Sequence, residues 1–272
     1  LKRWLALLLM MVPLAVAAQD ERGFFGRIFG GADDTEEEED GGSFLERQIE
    51  GALSGAGRDV TITGFSGALS SRATMEEMTI ADDEGVWLTL RDVVLDWNRS
   101  ALLRRRIQVN ELSAAEILVP RLPAQEPSGV NVPAPEAQGF SLPELPVSVD
   151  IGLIDAERVE LGEPLFGEEA VVTLNGEISL AGGAGSADIS AERIDGEEGS
   201  LALEASYENE SQELALDLNL VEGEDGIIAN LIDLPGRPSL ELSAAGAGPL
   251  TDFQAEIGLA TDGQERLAGT VA

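Results

Sequence analysis

The chain has 272 residues, enough for one large domain or two ordinary ones, and carries 51 acidic against 17 basic side chains for a net charge of −34. That balance repels nucleic acid and anionic bilayers, and the basic stripe that a nucleic-acid binder needs is missing. Cysteine and histidine are both absent, which excludes disulfides, thiolate and imidazole metal ligands, cysteine nucleophiles and histidine-based acid–base catalysis.

The first elements read as an address and a spacer. Lys2 and Arg3 precede the apolar run WLALLLMMVPLAVAA, which closes on Ala15-Val16-Ala17, the small-residue pattern of a cleavage site. Residues 1–18 are expected to be an export segment, either a cleaved signal peptide or a retained signal anchor. Residues 19–42, containing GADDTEEEEDGG, have nothing to bury and lack the EF-hand ligand spacing, so an acidic disordered linker is expected. Residues 43–57 follow as an amphipathic helix, with Ser43 and Glu46 as a capping box and Leu45, Ile49 and Leu53 on one face.

From Val60 onward the apolar period is two, the signature of half-buried strands. Residues 58–120 form a first β-unit. Within it the alternation slips, because Val86, Leu88 and Leu90 are even-numbered while Val93, Leu95 and Trp97 are odd. That slip predicts a β-bulge at Arg91 and Asp92. Seven of the twelve prolines fall between Pro120 and Pro146, and proline cannot donate to a ladder, so residues 121–144 are expected as a loop. Residues 145–272 form a second β-unit. Its runs include Leu201, Leu203, Ala205 and Tyr207; Leu214, Leu216, Leu218 and Leu220; Leu240, Leu242 and Ala244; and Phe253, Ala255, Ile257 and Leu259. Turn sequences such as GEEG, ENES, EGEDG, LPGRP and TDGQ separate them. The expected fold class is all-β, a mainly antiparallel sheet.

No catalytic, metal-binding or cofactor-binding residue is assigned, and the chain is read as a non-enzyme. GFSG places Ser66 in something like a nucleophile elbow, but Ala68 stands where the motif needs glycine and no histidine exists to activate the serine. GGAGSAD and GAGPLT lack the third glycine of a dinucleotide fingerprint and the lysine of a P-loop.

The stretch GFSGALSSRATMEEMTIADDEGVWLTLRDVVLDWNRSALLRRRIQVNELSAAEILVPRLP carries Gly85 and Trp87 in a D-x-x-G-x-W-L strand, Trp97 in an L-D-W, and a Leu102-Leu103 turn. It resembles the N-terminal region of the TamB family, the translocation and assembly module proteins of the AsmA-like group in Gram-negative bacteria. LPVSVDIGLIDAERVELGEPLFG and the final LIDLPGRPSLELSAAGAGPLTDFQAEIGLATDGQERLAGTV extend the resemblance over most of the chain. It implies a long sheet curled into a half-open hydrophobic groove that shields phospholipid acyl chains between inner and outer membrane. It also implies an inner-membrane location on the periplasmic side, a TamA-like outer-membrane barrel as partner through a region beyond GTVA, and a link to outer-membrane protein assembly. On that reading Leu88 and Leu90, the leucines from Leu201 to Leu242 named above, and Phe253, Ile257 and Leu259 line the groove. Few aromatics and no buried charges are expected along it. Alternation by itself favours a closed sandwich with a filled core; only the resemblance reverses that preference. The alternative function is a β-augmentation scaffold for barrel assembly or secretion that carries no lipid.

Overall fold

The computed structural model describes residues 59–67, 71–102, 104–124, 141–142, 147–232 and 234–271. The expected export segment, the acidic linker and the helix at 43–57 lie outside the described residues, as does most of the proline-rich loop.

The fold is all-β, one curled sheet of thirteen strands. In chain order these are β1 (Asp59–Thr63), β2 (Arg72–Asp82), β3 (Gly85–Trp97), β4 (Arg106–Ala114), β5 (Glu116–Val119), β6 (Ser148–Leu161) and β7 (Ala170–Ala181), then β8 (Ala184–Arg193), β9 (Gly199–Glu208), β10 (Glu213–Glu222), β11 (Leu240–Pro249), β12 (Ala255–Thr261) and β13 (Gln264–Val271). Three short helices interrupt them: α1 (Arg99–Leu102), α2 (Glu163–Phe166) and α3 (Ile227–Leu231). Sequential strands are neighbours, except that β4 and β5 share one lane between β3 and β6. Those two pair with β6 in parallel; every other pairing is antiparallel. The proline-rich connection therefore joins two halves of one sheet. A parallel step needs a long crossover, and this segment supplies it.

Tight turns set the register in the second half. Gly182-Gly183 joins β7 to β8 and Asp262-Gly263 joins β12 to β13, all four residues with φ between 51° and 79°. Positive φ at both central positions is the type I′ geometry whose twist matches flanking strands.

The slip at Arg91 and Asp92 is not a single-strand bulge. Asp92 takes a left-handed φ of 49°, but β2 pairs with β3 in one register on both sides of it, Met75 with Val93 and Met78 with Leu90. The partner strand slips too: Ile80 and Met78 lie on one parity, Met75 and Ala73 on the other. The same happens between Ile117 and Ala114, where β5 breaks from β4, and between Val159 and Ala156 in β6. A crease thus crosses four lanes, and a register shift between β6 and β7 at Ala156/Val159 ends it. Because neighbours slip together, pairing survives and the apolar face continues; Met75 and Met78 both pack against the cluster of Val60, Ile62, Ile80 and Trp87. Charged side chains fill the crease, with Arg91 bonded to Glu77 at 3.1 Å and to Glu116, and Arg158 3.8 Å from Glu116.

Candidate functional site

Cross-strand partners share a face, so the pairings define rows running across the sheet. One row is Ala73, Leu95, Leu112, Ile154, Gly176, Ile189, Leu203, Leu218, Ala244, Ile257 and Gly269, with no polar member across eleven strands. Beside it runs Trp97, Val109, Ile151, Ile178, Ala187, Ala205, Leu216, Gly246, Ala255 and Val271. On the other side lie Leu174, Ala191, Leu201, Leu220, Leu242, Leu259 and Leu267. At ~4.8 Å per strand the longest row spans roughly 50 Å.

Ten of the leucine-face residues expected from the sequence fall on these rows or directly beyond their ends. Leu201, Leu203, Leu214, Leu216, Leu218, Leu242, Ile257 and Leu259 are half-buried, whereas the alternate residues of the same strands, such as Glu204, Asp217 and Glu241, are exposed. Leu220 and Leu240 are buried, at 8% and 1% exposure. Leu88 and Leu90 sit further away on β3, half-buried, with Leu88 against the Trp87 cluster. Leu90 still belongs to the same face, through the partners Ile117, Val159 and Val172. Phe253 is half-buried but precedes β12; the turn Leu250–Asp252 takes up the chain before it.

Half-burial is the geometry that separates a trough from a filled core. A leucine in a packed interior is covered by a second layer. Here the central leucines of β9 and β10 are flanked by their lateral neighbours and only half-buried, with no second layer over them among the described residues. A glycine sits in the long row for a reason of space, since a Cβ on Gly176 would lie 2.5 Å from the Asp188 carbonyl oxygen.

The two margins of the trough, at opposite ends of its strands, are closed differently. At one end Leu142 reaches over the face: its N–H donates to Asn209 Oδ1 at 2.7 Å, and Asn209 Nδ2 donates back to its carbonyl at 2.8 Å. That two-bond clasp holds the Leu142 side chain against Leu180 and Gly185, beside buried Tyr207. At the other end α2 and α3 pack together, with Leu165, Ile228 and Ala229 buried and Asn230 Nδ2 donating to the Phe166 carbonyl at 3.2 Å.

Buried charge gathers at that helix-plugged end, contrary to the expectation of none. The Arg193 side chain, 7% exposed, bonds Glu168 and Asp195 at 2.9 Å each. Burial works against its charge, but the bonds to Asp195 and Glu168 outweigh it and hold the guanidinium pKa above its ordinary value. Asp195 is likewise penalised by burial, yet hydrogen bonds from Arg193, the Val171 N–H and the Glu197 N–H bring its pKa below the usual carboxylate value. Glu222, 5% exposed, caps α3 by accepting the Ile228 N–H on both oxygens, at 2.8 and 3.1 Å. Burial dominates there and pushes its pKa up despite those bonds. The approach requires glycine at 226, where a Cβ would lie 2.8 Å from Glu222 Cβ. Sequence reading missed this plug because α2 and α3 have four and five residues, too short for a helical period to show. The Gly-Glu-Pro of α2 was the available signal, since proline favours the first helical turn.

Among the described residues no group of three or more acidic side chains could hold a metal ion, and no helix is long and apolar enough to cross a membrane. The chain matches no protein-family model, no curated protein and no solved structure.

Proposed function

We propose that this protein is a TamB-like segment that shields phospholipid acyl chains in an open β-trough, for transport between inner and outer membranes. One observation carries the reading: register-linked apolar rows run from β2 or β3 to β13 with their central side chains only half-covered by protein. Each methylene gains ~0.8 kcal/mol on leaving water, so a bare lipid is strongly held out of aqueous space. An aliphatic trough removes most of that cost while the headgroup stays at the open margin. The sequence resemblance adds a periplasmic site of action at the inner membrane and a TamA-like barrel as partner. No cofactor and no catalytic step enter.

A different observation favours the scaffold reading. Among the described residues β13 closes the strand order and all eight of its residues are exposed, an arrangement to which a client strand could add. Lipid extraction of the purified chain separates the two. Phospholipid bound in stoichiometric amount, and lost in Leu216→Glu/Leu242→Glu with the strand signal intact, is the expected result. Lipid-free protein that crosslinks to client strands through β13 would replace the trough with the scaffold.

A further inference from the structure

The register between β12 and β13 shifts between Leu259 and Ala260, with Ala260 opposite Glu265 and Leu259 opposite Leu267. Arg266 is the extra residue. Bulges re-aim side chains, and this one turns a guanidinium to the trough face, where Arg266 Nε donates to the buried Thr261 Oγ1 at 2.7 Å. Among the described residues that is its only hydrogen bond, and it forms no ion pair, so both Nη groups are left to donate.

Around the arginine is a concavity of about 540 Å³, lined by Leu234, Pro235, Pro238, Leu259 and Thr261 together with Glu224 and Asp262. Leu259 belongs to the leucine row, so the concavity opens directly from the trough. Its charges are mixed: one cation placed by the bulge, two carboxylates beside it. An anion alone would meet Arg266 but be repelled by Glu224 and Asp262. A phosphodiester carrying a primary ammonium satisfies both signs, its phosphate oxygens accepting from the guanidinium and its ammonium donating to the carboxylates.

We propose that this concavity seats the headgroup of an aminoalkyl phosphodiester, which at the margin of an acyl-binding trough is a zwitterionic aminophospholipid. The inference rests on the trough reading for its acyl chains, though the headgroup site can be tested apart from it.

The chain is incubated with vesicles of equal phosphatidylethanolamine and phosphatidylglycerol, recovered, and its bound lipid measured. The expected result is a roughly two- to fivefold enrichment of phosphatidylethanolamine, the scale of exposed charge pairs. Glu224→Gln/Asp262→Asn should bring the ratio to parity by admitting the anionic lipid. Arg266→Gln should lower total lipid, and Arg266→Lys, which keeps the charge but not the fork, should restore it in part. An unchanged ratio across all variants that still bind lipid overturns the headgroup site and leaves the trough standing. If no lipid binds, the trough reading fails, and soluble glycerophosphoethanolamine decides the site alone. Phosphorus-NMR broadening that vanishes in Arg266→Gln retains a phosphodiester site independent of lipid; no broadening removes it.

Discussion

The two halves of the sheet use the same aliphatic residues to opposite ends. In β1–β6 much of the inner face is covered: Val60, Ile62, Ile80, Trp87, Val93, Ile154 and Val159 are all below 8% exposure, among half-buried neighbours such as Leu95 and Leu112. In β7–β13 the buried apolar residues are fewer and lie near the strand ends: Tyr207 beside the Leu142 clasp, Ala255 at the start of β12, and Leu165, Ala170, Leu220, Ile228, Ala229 and Leu240 towards the helices. The middle rows there stay half-open. Ionic fastening largely follows the same division: among the described residues the ion pairs lie on arginines of the first half, except those of Arg193 with Glu168 and Asp195 beside the helices. The creased half bends, fills and locks itself; the regular half alternates with one register shift, between β12 and β13, and leaves its middle rows half-open. Vacancy is therefore a product of regularity, because a face stays open where no crease, aromatic or helix folds onto it.

Truncation gives the largest test of that contrast. Trp87→Ala removes a buried indole and should cost about 3–5 kcal/mol in urea unfolding, as for large aromatic deletions in cores. Leu218→Ala, in the open middle of β10, deletes a side chain already half in water and should cost less than about 1.5 kcal/mol. Equal losses would mean that the second half is packed as tightly as the first, which ends the trough.

Titration sharpens the contrast at two carboxylates whose pKa values shift in opposite directions. Asp82, in the first half, accepts from Arg121, the Ala124 N–H and the Glu84 N–H, and the Arg121 bond holds its pKa well below the usual carboxylate range. The unfolded chain protonates such a group first as pH falls, so its stabilisation is complete above about pH 4 and is lost on further acidification. Asp82→Asn should be destabilised at pH 7, with the gap to the parent closing in acid. Glu222 has the reverse sign. Burial raises its pKa, so the folded state keeps the proton to higher pH, and its contribution falls as pH rises through that raised value from about 4.3. Arg193 and Glu168 act on it from the neighbouring elements, the first lowering and the second raising its pKa. Glu222→Gln should gain relative to the parent as pH rises from 4.5 to 7, measured by Tm in matched buffers. A parallel pH dependence for both variants would show that the two carboxylates sit in equivalent surroundings.

What could be read from the sequence divides along the same line. Period-two runs and turn sequences placed β9–β12 and the leucine face, because their alternation is complete; β8, rich in alanine, glycine and serine, was not read as a strand. Phe253 was drawn into a strand by parity alone, although Pro249 and the turn after it interrupt the pairing. The creased half hid more. A slip shared by four strands looks, in any single strand, like an ordinary bulge, and the parallel pairing of β4 with β6 spans about forty residues of sequence with no local signal. Arg266 was invisible for a related reason, since only the register of its partner strand turns it to the trough face.

The smallest effect probes the outer face of the regular half. Glu177, Asp188, Glu204 and Asp217 are consecutive cross-strand partners from β7 to β10, four like charges in one row. Like charges directly opposite each other destabilise a sheet by roughly 0.2–1 kcal/mol per pair relative to compatible partners. No arginine stands among them, so the middle of the regular half is fastened by backbone and leucine while its exterior repels itself. Glu204→Lys converts two repulsive pairs into attractive ones and should raise stability by up to ~1 kcal/mol at low salt. The gain should shrink between 0.01 and 0.5 M NaCl as the screening length falls from about 30 Å to a few ångströms. The equivalent reversal in the crease, Glu116→Lys, takes a carboxylate away from Arg91 and Arg158 and should destabilise instead. Opposite signs for the same chemical change, measured side by side, would place the difference between the halves in how each arranges its charge rather than in strand propensity.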